Sequence, residues 1–236
     1  MMIVRRFVTA VAFACALAAP AAATSFLVAG QIDASLLLPP PPANDSPREA
    51  EEIAELRAIA AHRTPAEWDA ATADAKDSTG DWFASAIGPD FDFARLPATQ
   101  HLLADIGDTE EGVATAAKTY FHRDRPWIVA PDIKTCTPVK PGPAPTSYPS
   151  GHATIAYAMG VTLARLMPDK AQAILTRAAL YAERRLVCGM HFRSDIVAGE
   201  ALGTAIALEL LQNPDFRKEY DAAAAELAAA HLRSVP

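Results

Sequence analysis

Three short segments of this sequence contain side chains that can bind an oxyanion and move protons. They combine fixed positive charges, two histidines and residues that favour helix starts: Lys118 and Arg125; Ser150, Gly151 and His152; Arg185, His191 and Asp195. Guanidinium and ammonium groups neutralise an oxyanion, and histidine is the side chain that gains and loses a proton near neutral pH. Together the segments indicate a site for a small anion.

The second segment, Pro149-Ser150-Gly151-His152, has the features of an anion-binding helix start. Ser150 is suited to cap a helix that begins near Gly151, where the lack of a side chain lets an anion approach the backbone. The free N–H groups and the dipole of the first turn favour negative charge there. His152 would lie beside that anion, although a capped helix with an incidental surface histidine explains this tetrapeptide equally well.

The third segment places a histidine four residues before an aspartate. A turn at Arg193-Ser194 would bring the Asp195 carboxylate to one nitrogen of His191, fixing the tautomer and leaving the other nitrogen as a nucleophile. Taken alone, this spacing is more often a surface hydrogen bond. Arg185, at the end of the preceding helix, adds a planar guanidinium suited to bidentate phosphate binding.

The first segment is the least distinctive. Lys118 and Arg125 lie seven positions apart, and such a pair usually belongs to a solvated face. His122 and Arg123, which lie between them, are consistent with the same exposed face.

The elements that must position these residues are predicted to be helices. An N-cap hydroxyl, a proline and a glutamate mark helix starts at Ser46-Pro47 and at Thr64-Pro65. Apolar residues then recur with helical spacing over five segments: 96–121, with a break near Gly107; 151–167; 168–187; 195–212; and 214–232.

The rest of the pattern favours an all-α, compact multi-helix single domain. Six prolines between positions 131 and 149 predict a loop, and sustained alternation of β-branched residues is absent from the sequence. Gly160, Gly199 and Gly203 would let apolar helices approach one another closely.

Composition narrows the class of partner. The chain has 236 residues with 21 Lys plus Arg against 28 Asp plus Glu, a formal net charge of −7. Nucleic-acid polymers are held by clustered basic residues, so this charge argues against a non-specific nucleic-acid binder. The expected partner is a small molecule, and a homo-oligomer is compatible with the sequence.

The N-terminus has the pattern of a secretory signal peptide. Arg5 and Arg6 precede an apolar run over 7–19, and small residues follow, which predicts cleavage after Ala23. A membrane anchor needs roughly 20 apolar residues, more than this run supplies, and no later segment spans a bilayer. We expect residues 1–23 to be the signal peptide, 24–45 a proline-rich arm and 46–236 the domain, with export to a bacterial periplasm.

Cleavage would leave two cysteines, Cys136 and Cys188, in a compartment that oxidises thiols. We expect them to form a disulfide, which would stabilise the fold by at most roughly 4 kcal/mol on the chain-entropy account. Two separate buried thiols are the alternative, because sequence alone does not fix connectivity.

In order and internal spacing, the three segments resemble the signature of the type 2 phosphatidic acid phosphatase superfamily: K-x6-RP, PSGH and SR-x5-H-x3-D. Within that superfamily, the runs 147–152 and 187–191 are similar to those of the soluble, secreted bacterial class A non-specific acid phosphatases. One position departs from the pattern. Arg184 stands where the family has a serine before Arg185, which puts the affinity for phosphate and the charge near the pocket in doubt.

The resemblance implies the all-α fold of the type 2 phosphatidic acid phosphatases and vanadium haloperoxidases, and an acid phosphatase that needs no metal or other cofactor. In that chemistry His191 attacks the phosphorus of a phosphomonoester, Asp195 orients His191, and His152 protonates the leaving alcohol. The phosphate oxygens would be held by Lys118, Arg125, Ser150, Gly151 and Arg185. Phosphate and vanadate would inhibit.

Two other functions remain open at this point. A vanadium-dependent haloperoxidase would use the same pocket, with His191 as the vanadium ligand. A periplasmic oxyanion-binding protein without turnover would not need the ordered pair of His191 and Asp195. A membrane lipid phosphatase is disfavoured because no spanning segment follows the N-terminal run.

Overall fold

The computed structural model describes residues 26–27, 30–139 and 146–233, and these residues form helices and turns without a strand. The all-α prediction is therefore confirmed, while the predicted signal peptide, 1–23, lies outside the described residues. The helices are α1 (Ala34–Leu37), α2 (Pro47–His62), α3 (Pro65–Asp74), α4 (Ala84–Ile87), α5 (Pro97–Phe121), α6 (Pro126–Val129), α7 (Gly151–Leu166), α8 (Ala171–Val187), α9 (Arg193–Leu210) and α10 (Pro214–Ala229).

Helices α2 and α3 begin where the sequence predicts. The Ser46 hydroxyl accepts a hydrogen bond from the Glu49 N–H, and Thr64 and Glu67 form a complete capping box. Both caps satisfy backbone N–H groups that otherwise lack a partner in the first turn.

The predicted break near Gly107 is wrong, because α5 runs without interruption from Pro97 to Phe121. A glycine inside a helix costs about 1 kcal/mol relative to alanine. Fully buried Leu102, Leu103 and Ile106 pack this stretch into the main core. That burial outweighs the low helix propensity of one glycine.

The core is built around α7, which packs closely against α8 and α9. A side chain at Gly160 would meet the Ala178 methyl carbon at 3.0 Å, and one at Gly199 would meet the Ser150 carbonyl oxygen at 2.6 Å. One at Gly203 would collide with the Thr154 carbonyl. The predicted role of these three glycines is confirmed, and their tight packing fixes the starts of α7 and α9 beside each other.

The proline-rich arm is not wholly extended. Its described part contains α1, and Leu38 is buried in the main core. The Pro39 carbonyl accepts a 2.6 Å hydrogen bond from the Tyr148 hydroxyl, so the arm contacts the loop just before Ser150. The domain boundaries at 23 and 45 stay predictions.

A disulfide joins Cys136 to Cys188, as the sequence predicts, with 4.8 Å between the Cα atoms. The Cys136 N–H also donates to the Cys188 carbonyl. Gly189 follows with φ 64°, and a side chain there would come within 2.6 Å of the Lys134 carbonyl oxygen. These contacts anchor the turn that leads from α8 to His191.

No helix in 26–27, 30–139 or 146–233 is long and apolar enough to cross a membrane.

Candidate active site

The predicted pair of His191 and Asp195 is formed in the interior. The His191 Nδ1 atom lies 3.3 Å from Asp195 Oδ2, and the side chains are only 2% and 0% exposed. On the other side of the ring, the Arg125 guanidinium lies 2.8 Å from His191 Nε2. An arginine N–H can only donate, so this geometry places the ring proton on Nδ1, toward Asp195, and the lone pair on Nε2.

Three donors besides His191 hold the Asp195 carboxylate in place. Arg123 Nη1 donates to Oδ1 at 2.6 Å, while the Ser147 hydroxyl and the Phe192 N–H donate to Oδ2 at 2.5 and 2.8 Å. Burial raises the pKa of Asp195, and Arg123 with the other donors opposes that rise. The carboxylate is thus fixed in one orientation toward the imidazole.

Arg123 is not on a solvated face, so that interpretation of the sequence is wrong. Its side chain is 1% exposed and bridges two buried carboxylates, those of Asp195 and of Glu52 in α2. The second Glu52 oxygen accepts a 2.7 Å hydrogen bond from the Ser194 N–H. Arg123 and Glu52 therefore position the start of α9, and with it the carboxylate of Asp195. His122 is exposed, as predicted.

The start of α7 faces this pair. The Ser150 hydroxyl caps the helix by accepting from the Ala153 N–H, and the Ser150 N–H donates to the Asp195 carbonyl at 3.0 Å. N–H groups of a first helical turn have no acceptor within their own helix. Those of Gly151 and His152 belong to this first turn, as the sequence predicts.

Lys118, at the end of α5, and Glu110 close around Gly151. A side chain on Gly151 would meet Lys118 Nζ at 3.1 Å and Glu110 Oε1 at 3.7 Å. Glu110 is 6% exposed, and its Oε1 has no hydrogen-bond partner among the described residues. Burial raises the pKa of Glu110 to about 8, with Lys118 opposing the rise. Glu110 is thus uncharged in acid and can lie beside a bound anion without repelling it.

Two buried guanidiniums and one half-buried ammonium group converge on this region. Burial lowers the pKa of Arg125 and that of Arg185 to about 10 each, and it also lowers the pKa of Lys118. With pKa values of about 10, Arg125 and Arg185 carry a charge at acidic and neutral pH. No carboxylate of the described residues lies within ion-pair distance of Lys118 or Arg185, so a bound oxyanion would supply the missing negative charge.

Both histidines are held neutral by this environment. Burial, followed by the charges of Arg125, Arg185 and Lys118, keeps the pKa of His191 well below its ordinary value. Burial and Arg185 do the same to the pKa of His152. The His152 ring stacks on Tyr181 of α8, with centroids 5.8 Å apart and planes 19° apart.

Comparison with known proteins decides the family. The model of the PAP2 superfamily matches residues 109–219, which include all three segments. An acid phosphatase from Zymomonas mobilis is 33% identical over 204 residues, covering 83% of this chain and 75% of that protein. The chain belongs to the PAP2 superfamily.

Two further relatives carry the name non-specific acid phosphatase. One, from Salmonella typhi, is 30% identical over 198 residues, covering 79% of this chain and 77% of its own. The other, from Providencia stuartii, is 29% identical over 203 residues, covering 84% and 82%. The prediction that this PAP2 protein is an enzyme, a phosphoric monoester hydrolase of the acid phosphatase type, is confirmed.

A solved PAP2 structure has the same fold. The crystal structure of a transmembrane phosphatidylglycerolphosphate phosphatase from Bacillus subtilis aligns with a TM-score of 0.53 at 17% identity, over 78% of this chain and 90% of that one. The PAP2 fold predicted from the motifs is therefore confirmed.

The departure from the PAP2 motif at Arg184 has a structural explanation. Arg184 Nη1 lies 2.7 Å from Asp74 Oδ2, and the other Asp74 oxygen lies 2.7 Å from Arg177. Arg184 is therefore ion-paired with Asp74 in α3, a carboxylate that it shares with Arg177. Arg184 joins α8 to α3.

A cleft of about 490 Å³ opens beside the PAP2 motif residues. Gly151 and His152 form part of its wall, and three carboxylic acids, Asp108, Glu110 and Glu111, line it from α5.

Proposed function

We propose that this PAP2 chain hydrolyses phosphomonoesters through a phosphohistidine at His191, with no metal ion in the reaction. The observation that supports this proposal most is the orientation of His191, with Nδ1 toward Asp195 and Nε2 toward Arg125 in a pocket of buried cations. An imidazole held in this way is a nucleophile with a fixed tautomer.

The cations and the start of α7 bind the phosphate. Lys118, Arg125 and Arg185 neutralise its oxygens, and the Ser150 hydroxyl and the Gly151 N–H donate hydrogen bonds to them. Phosphoryl transfer is catalysed mainly by positioning and by stabilising charge on three equatorial oxygens. Fixed guanidinium and ammonium groups supply that charge here, so no metal is required.

In the first step, His191 Nε2 forms a bond to phosphorus as the ester P–O bond breaks. The new positive charge on the imidazole is stabilised by Asp195 through Nδ1. His152 donates a proton to the departing alkoxide. In the second step, neutral His152 takes a proton from water, the water oxygen bonds to phosphorus, and the P–N bond to His191 breaks.

The lowered histidine pKa values fit an enzyme that works in acid. His191 must be neutral to attack, and its low pKa keeps it neutral well below pH 6.5. His152 must be protonated, and in the free enzyme its low pKa opposes that. A phosphate anion bound beside it favours the charged form, so the substrate itself raises the fraction of His152 that can act as an acid.

Metal independence gives a direct prediction. We expect EDTA to leave the initial rate of p-nitrophenyl phosphate hydrolysis unchanged, while phosphate and vanadate inhibit competitively. Vanadate resembles the five-coordinate phosphorus of the transition state, so it should bind more tightly than phosphate. Loss of the rate on chelation, restored by a divalent ion, would contradict a mechanism based on fixed cations. Bromide oxidation by peroxide with vanadate, in place of phosphatase turnover, would favour the haloperoxidase.

Export is proposed from the N-terminal pattern alone. Expressed in a bacterium with its complete sequence, the chain should accumulate in the periplasm and begin within a few residues of Thr24. N-terminal sequencing of the exported protein checks this. Retention of Met1 on the exported chain would show that 1–23 is not a cleaved signal peptide.

A further inference from the structure

A second group of potential ligands lies between α5 and α10, away from the phosphate pocket. It consists of His101 and Asp105, one turn apart on α5, and Glu219 on α10. Along α5, His101 is 17 residues before Lys118, which is about 26 Å at the rise of an α-helix. These side chains take no part in the chemistry proposed above.

The three side chains converge on one point. One ligand atom from each, the imidazole nitrogen and two carboxylate oxygens, lies within 4.8 Å of the others. His101 Nε2 lies 3.5 Å from Asp105 Oδ2 and 3.8 Å from Glu219 Oε1. In a tetrahedral Zn²⁺ site, with bonds of about 2.0–2.1 Å, ligand atoms lie roughly 3.3 Å apart. Small side-chain adjustments would reach that spacing.

Each of the two carboxylates has one buried oxygen that accepts no hydrogen bond from the described residues. Asp105 is 3% exposed, and its Oδ2, the oxygen nearest His101, accepts no hydrogen bond from the described residues. Glu219 Oε2 is equally inaccessible and equally without a donor there. Two such groups side by side repel each other when both are ionised, and a shared proton or a cation between them removes that repulsion.

We propose that His101, Asp105 and Glu219 bind one divalent transition-metal ion of the Zn²⁺ class, which joins α5 to α10. One imidazole and two carboxylates are ligands that Zn²⁺ accepts, and an all-oxygen ion such as Mg²⁺ is disfavoured by the imidazole. His101 is 54% exposed, so the ion can enter from solvent, and water can complete the coordination.

The ion would act on stability, because it ties the last helix to the fold. Another α10 carboxylate already links the same two helices. Glu226, two turns after Glu219, accepts from the Ala98 and Thr99 N–H groups and from the Thr99 hydroxyl. It thereby caps the start of α5, whose own N-cap residue, Leu96, has no side-chain cap. The metal ion would be a second link between α5 and α10.

The test measures the Tm of the metal-free protein in phosphate-free buffer, with and without Zn²⁺, alongside isothermal titration. We expect one saturable site and an increase in Tm of about 5 °C or more at saturation. His101→Ala and Glu219→Gln should each abolish the increase and the binding. Asp105 is left intact because its burial makes any substitution there disruptive.

Two control variants separate metal binding from helix packing. Glu226→Gln should lower the Tm of the metal-free protein yet keep the full Zn²⁺-induced increase. His62→Ala removes an exposed histidine elsewhere and should leave the response unchanged. If Zn²⁺ does not bind, or if His101→Ala and Glu219→Gln respond like the parent, the cluster is only an ion pair and the proposal is overturned. Because the readout is Tm and binding, either result is independent of the phosphatase mechanism.

Discussion

Replacing His191 with alanine is expected to lower kcat for every phosphomonoester by on the order of 10⁴-fold or more, because the substitution removes the nucleophile. The loss should be the same for p-nitrophenyl phosphate and for an alkyl phosphate, since both need the same P–N bond. Steady-state rates with the two substrates check this.

Two controls keep this result interpretable. His191 is fully buried, so the Tm and the competitive binding of phosphate to the His191→Ala protein must show that fold and cation pocket persist. His122→Ala removes an exposed histidine between Lys118 and Arg125 and should keep full activity. Substantial turnover by folded His191→Ala protein would refute the nucleophile assignment.

Replacing His152 with alanine is expected to give the second large loss of rate, and the size of that loss depends on the leaving group. His152→Ala should slow hydrolysis of an alkyl phosphate by about 10²- to 10⁴-fold, the usual contribution of a general acid. Its effect on the P–O cleavage step with p-nitrophenyl phosphate should be much smaller, because p-nitrophenolate leaves without a proton. Single-turnover release of alcohol and of p-nitrophenol separates the two cases.

The pH profile provides an independent readout for the same residue. In the parent enzyme, kcat/KM for an alkyl phosphate should be highest in acid and fall as pH rises, because His152 loses its proton. This fall should be missing from the His152→Ala profile. Equal losses for both leaving groups, or an unchanged profile, would mean that another group is the acid.

The candidate site could be predicted in part because its chemistry is local in sequence. Ser150 and Gly151 are adjacent, and His191 and Asp195 are four residues apart at a helix start, so cap geometry and spacing already place them. The PAP2 resemblance then predicted that Lys118, Arg125 and Arg185 lie in the same pocket. The structure places these residues together, while their catalytic roles stay predictions.

The positioning residues could not be predicted, because their contacts are distant in sequence. Arg123 contacts Asp195 across 72 positions and Glu52 across 71, and Ser147 contacts Asp195 across 48. Flanked by charged residues, Arg123 has the sequence context of an exposed side chain.

For the helices too, features set by neighbouring residues could be predicted and features set by distant packing could not. Caps at Ser46 and Thr64 are decided by neighbouring residues, so the predicted starts of α2 and α3 are right. Helix α5 continues through Gly107 because Leu103 and Ile106 pack into the core. The helix propensity of the neighbouring residues gives no information about that packing. Glu110 was missed for the same reason, since an acidic residue in a helix is usually solvated.

Covalent trapping tests the central claim most directly. The His152→Ala protein should accumulate phosphoenzyme from p-nitrophenyl phosphate, because its leaving group departs without an acid while water attack lacks its base. Rapid quenching without acid, followed by proteolysis and mass spectrometry, should find one phosphoryl group on His191. A phosphoryl group on Ser150, or none on the protein during turnover, would contradict the account.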